Sequence, residues 1–109
     1  MREYNDDIKL TQAILKLNKL YNKHQSINFI LGKAIICRYN NQFIPQFEEY
    51  NKKAIIHNAG VLGFDLSKCN SFDDIINVMT IENNNNLKEL DKMIKEKIID
   101  KSLEIIFNM

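Results

Sequence analysis

A chain of 109 residues, with 45% hydrophobic and 27% charged residues, is long enough for one cored domain spanning residues 1–109 and too short for two. Three Gly, one Pro and two Cys argue against loop-rich, all-β and disulfide-framework designs. A formal net charge of +1 at pH 7 argues against the strongly basic balance of a nucleic-acid-binding domain.

Asn5 and Asp6 precede an amphipathic run in which Leu10, Ala13, Ile14, Leu17, Leu20 and Tyr21 recur at helical spacing, so the pattern predicts a first helix over residues 6–24. Asp6 and Asp7 stand where the helix dipole favours negative charge. The opposite side carries Lys9, Gln12, Lys16, Lys19 and Lys23 and no acid. The N-terminal MREYNDDIK has no apolar run of the kind a secretory leader needs, which makes the cytoplasm the expected location.

Residues 27–39, INFILGKAIICRY, form the most apolar stretch. Positions 27, 30, 31, 34 and 35 follow the helical template, whereas consecutive Phe29, Ile30 and Leu31 break strand alternation. At about 100° per residue, Asn28, Lys33 and Arg38 point in different directions, so apolar groups cover every side. Such a helix is expected at the middle of a core, wrapped by the others. A membrane span needs about 20 apolar residues, more than this run supplies. Ser26 offers an N-cap, and Asn40 or Asn41 an end.

Pro45 suits the first turn of a third helix, which Gly60 is expected to stop. Phe47, Tyr50, Ala54, Ile55 and His57 are assigned to its buried side. Residues 59–70, AGVLGFDLSKCN, read as a connection whose Val61, Leu62, Phe64 and Leu66 plug the core. Ser71 with Asp74 resembles a capping pair and opens a fourth helix over residues 72–82. Asn83 to Asn86 read as a polar linker. A fifth helix over residues 87–107 broadens towards an apolar end, through which a homodimer can form.

The fold expected is therefore all-α, a compact bundle of about five helices around residues 27–39. No heptad run and no internal repeat marks a coiled coil or solenoid.

Charge is unevenly spread: residues 1–39 carry seven Lys or Arg against three acids, and residues 40–86 carry three against six. The Lys side of the first helix can dock on phosphates or on an acidic protein surface, although most such sides are merely solvated. Ala59, Gly63, Phe64 and Leu66 sketch a helix-turn-helix, but its recognition helix would bring Asp73 and Asp74 towards phosphates. His24, His57, Cys37 and Cys69 lack the short spacing that lets one turn supply two metal ligands. The adjacent acids Asp6-Asp7, Glu48-Glu49 and Asp73-Asp74 splay about 100° apart on a helix, which suits dipole partners better than paired catalytic carboxylates.

No catalytic residue, cofactor site or metal site is assigned. The function expected is non-catalytic binding of another protein, with Lys9, Lys16, Lys19 and Lys23, or Glu48 and Glu49, as the contact residues. Phage inhibitors of host defence and bacteriocin immunity proteins are comparable in size and class, without a shared motif. Nucleic-acid-binding regulation and a small enzyme or metal protein are the alternatives.

Overall fold

The computed structural model describes residues 2–95, and for residues 2–6 and 94 the backbone alone. Among the described residues every regular element is helical: α1 (Arg2–Asn41), a 3₁₀ turn (Pro45–Phe47), α2 (Glu48–Val61) and α3 (Phe72–Lys95). The all-α class therefore holds, while three α-helices stand where five were expected.

Both missing breaks have the same cause. Gln25 and Ser26 do not separate two helices, because neither costs more than about 0.7 kcal/mol in a helix interior, and α1 passes straight through them. Asn83 to Asn86 likewise lie inside α3 rather than in a linker. Only Pro, at about 3 kcal/mol, carries a penalty large enough to end a helix alone, and α1 and α2 accommodate even Gly32 and Gly60. The remainder of the expected fifth helix, beyond Lys95, lies outside the described residues.

Two compact units share α1 and α3. Residues 25–84 make one, and residues 2–24 with 85–95 are the described part of the other.

The core of the 25–84 unit takes Ile27, Ile30 and Ala34 from α1, Ile55 and Ala59 from α2, and Phe72, Ile75 and Met79 from α3. These spacings of three, four and seven are what a helix with one inward side requires. Each large aliphatic or aromatic side chain taken fully from water contributes about 1.5–3 kcal/mol. Phe64 and Leu66 complete the core from the connection, as expected, whereas Val61 and Leu62 are exposed.

α2 runs past Gly60 to Val61, and the chain turns away from it at Gly63, whose φ of 95° suits a residue without a Cβ. Phe64 N–H donates to the Ala59 carbonyl at 2.8 Å and Gly63 N–H to the Gly60 carbonyl at 3.1 Å, the paired bonds of a Schellman ending. α3 starts as its sequence implies: Asp74 N–H donates to Ser71 Oγ at 3.1 Å, and Asp74 Oδ2 accepts from Asn70 N–H at 3.0 Å. Glu48, Glu49, Asp73 and Asp74 occupy first turns, the dipole positions expected of them.

In the other unit, Leu10, Ala13, Ile14, Leu17 and Leu20 are half-buried and Tyr21 is exposed. Met93 and Asn86 are fully buried there, and Asn86 Nδ2 donates to the Leu20 carbonyl at 3.3 Å.

Candidate interaction surface

The stretch from Ile27 to Tyr39 is not wrapped on all sides. Ile27, Ile30 and Ala34 are buried, but Phe29 is 49% exposed and Ile36 58%, and Ile35, Tyr39 and Phe43 are exposed as well. Two further helices can cover only one side of a third, so the apolar residues beyond that side remain in water. At about 100° per residue, Phe29, Gly32, Ile35, Ile36 and Tyr39 share an arc of roughly 120°. With Phe43, 70% exposed, they leave a run of apolar side chains in water. The Tyr39 and Phe43 rings meet edge-on, with centroids 5.5 Å apart. The Lys33 ammonium lies 5.6 Å from the centroid of the Phe29 ring, within cation–π range.

Beside this arc, α1 and α2 enclose a groove of about 160 Å³. Phe29, Lys33 and Cys37 border it on α1, Asn51, Ala54 and Asn58 on α2, and the buried Ile30 and Ile55 close its base. A wider hollow of about 380 Å³ lies at the end of α2, against Gly60, Gly63, Phe64 and Asp65. On the far side of the same unit, Arg38 Nη1 donates to Asp73 Oδ1 at 2.7 Å and ties α1 to α3.

Several titratable groups are perturbed, each by a local structural contact. Ser67 donates to Asp65 Oδ1 through its hydroxyl at 2.6 Å and its N–H at 3.0 Å, and both bonds hold the Asp65 carboxyl below the usual range. The hydrogen bond and charge of Lys52 lower Glu49, and the bond to Glu49 raises Lys52. Lys52 Nζ also donates to the Asn70 carbonyl at 3.0 Å, joining α2 to the connection. Burial, then Asp74 and Asp65, pushes the Cys69 thiol up, which is the reverse of nucleophile activation. Cys37 and Cys69 are both free thiols, and Cys37 packs on the core as a small apolar group. Among the described residues no group of three His, Cys, Asp or Glu side chains could hold a metal ion, and no helix is long and apolar enough to cross a membrane.

No family model, curated protein or solved structure matches this chain.

The contact residues expected from sequence divide between the units. Lys9, Lys16 and Lys19 are exposed on α1 before residue 25, and Lys23 there is half-buried. Glu48 and Glu49 are exposed in the 25–84 unit. His57, expected near the end of its helix, lies a full turn before that end and is exposed, and His24 stands mid-helix in α1. The ten residues from Leu62 to Ser71 that part α2 from α3 exceed the three- or four-residue turn of a helix-turn-helix, and no helix begins near Leu66.

The surface that sequence reasoning missed is aromatic. Phe47 and Tyr50, expected on the buried side, are 51% and 72% exposed, because the buried stripe of α2 runs through Ile55 and Ala59 rather than residues 47, 50 and 54. From Ile8 to Phe47 the chain carries no Asp or Glu.

Proposed function

We propose that this chain is a non-catalytic protein-binding module that docks on another protein through the outward side of α1 between Phe29 and Phe43. The observation that supports this reading is an exposed run of aromatic and aliphatic side chains on a regular helix, with Lys33 the one charge at its edge. Large aromatic groups on a rigid element lose little conformational freedom on binding, and aromatic residues are enriched at interface centres.

The test is affinity capture with the immobilised chain and a lysate of its source or host. Phe29→Ser combined with Ile36→Ser is expected to abolish capture while leaving helicity by circular dichroism intact. Lys16→Glu with Lys19→Glu is expected to retain it. Equal capture by the wild type and the Phe29, Ile36 variant would overturn the reading. Loss confined to the Lys16, Lys19 variant would move the contact to the lysine side.

A second reading, nucleic-acid binding, is favoured by the exposed Lys9, Lys16 and Lys19 on a stretch free of acids. Salt-sensitive retardation of random duplex DNA would support it, and absence of binding at low salt would exclude it.

A further inference from the structure

We propose, resting on the protein-binding reading, that the groove between α1 and α2 is an anchor socket for an acidic amphipathic helix of the partner, which inserts one apolar side chain beside Ala54 and sets a carboxylate on Lys33. At about 160 Å³ the groove is smaller than the roughly 300–1,000 Å³ of small-molecule sites. It suits one large side chain offered by a docked helix.

Charge selects the occupant. No carboxylate lines the groove, and the ion pairs of the described residues do not include Lys33. The acid-free stretch from Ile8 to Phe47 supplies no neighbour of opposite sign along α1. An antiparallel second copy centred on this arc would bring one Lys33 towards the other, whereas a carboxylate from a different helix would be drawn to it.

Gly32 lies on the arc of α1 next to the groove and not in its lining. A Cβ built there meets nothing within 4 Å, and its φ is not positive, so nothing in the chain's own fold requires glycine at this point of α1.

The test uses a labelled amphipathic peptide with Leu at helical spacing and Glu on its flanks, against a twin with Lys in place of Glu, and follows anisotropy and amide shifts. The full chain is expected to bind the acidic peptide about tenfold or more tightly than the twin, with shifts at Lys33, Cys37, Asn51 and Asn58. Lys33→Glu is expected to invert the preference, and Ala54→Leu, which fills the socket, to weaken both peptides alike. Equal binding of the twins, no binding of either, shifts elsewhere, or a preference unaltered by Lys33→Glu would overturn the proposal. Lysate capture that still depends on Phe29 and Ile36 would then leave the protein-binding reading standing, so the two failures are distinguishable.

Discussion

The two sides of α1 between Ile27 and Tyr39 are alike in composition and opposite in environment. Ile30 is 1% exposed, while Ile36 leaves over half its surface in water. Hydrophobicity alone does not separate the two isoleucines; the number of helices available to cover α1 does. A helix apolar on every side belongs at the centre of a bundle when enough partners surround it. Where, among the described residues, α2 and α3 alone pack on it, the apolar side beyond them stays exposed.

The largest expected effect tests that division directly. Ile30→Ala should cost about 2–5 kcal/mol, because it removes buried methyl and methylene groups and leaves a cavity among Ile27, Ile55 and Ile75. Ile36→Ala should stay within about 0.5 kcal/mol. Denaturant midpoints of the two variants check this, and equal losses would mean that the outward side is covered in the folded protein.

Two glycines extend the comparison. Gly63 holds a φ of 95° at the end of α2, where any L side chain is strained, so Gly63→Ala should destabilise by about 1–2 kcal/mol. Gly32 sits in ordinary helix with open space where its Cβ would be, so Gly32→Ala should stabilise by about 0.5–1 kcal/mol. Thermal unfolding of both variants gives the signs. A loss at position 32 would show that the fold itself depends on that glycine, and would remove it from the outward surface.

Sequence patterns revealed much of the inward side and little of the outward one. The stripe at 27, 30 and 34, the Ser71 cap and the plugging role of Phe64 and Leu66 follow from spacing and turn chemistry, which are local. The continuity of α1 and α3 does not, since Gln, Ser and Asn are weak breakers whose outcome is settled by tertiary contacts. Asn86, assigned to a linker, instead buries its amide against the Leu20 carbonyl, a contact spanning 66 positions. Apolar residues are usually buried, but that rule runs one way only, since much of a folded surface is apolar too, and Phe47 and Tyr50 lie on it. The lysine side of α1 was legible as charge, but nothing local showed that the apolar arc beyond residue 25 would stay uncovered.

The smallest expected effect lies on the connection after α2, where the same alternation recurs within four residues. Phe64 and Leu66 point into the core, and Asp65 and Ser67 face water. Because Ser67 bonds hold the Asp65 carboxyl below its ordinary value, their stabilisation is fully present above the usual carboxylate range. It is lost as pH falls through the lowered folded value. Ser67→Ala deletes the hydroxyl bond, the larger cause, and keeps the backbone bond, so Asp65 should titrate closer to its ordinary value without reaching it. Carboxyl carbon shifts recorded through an acid titration measure this, and core signals of Phe64 and Leu66 should stay in place. An unchanged Asp65 titration would mean that the hydroxyl bond does not persist in solution. Movement of the core signals would mean that the outward residues of this connection help to hold the inward ones.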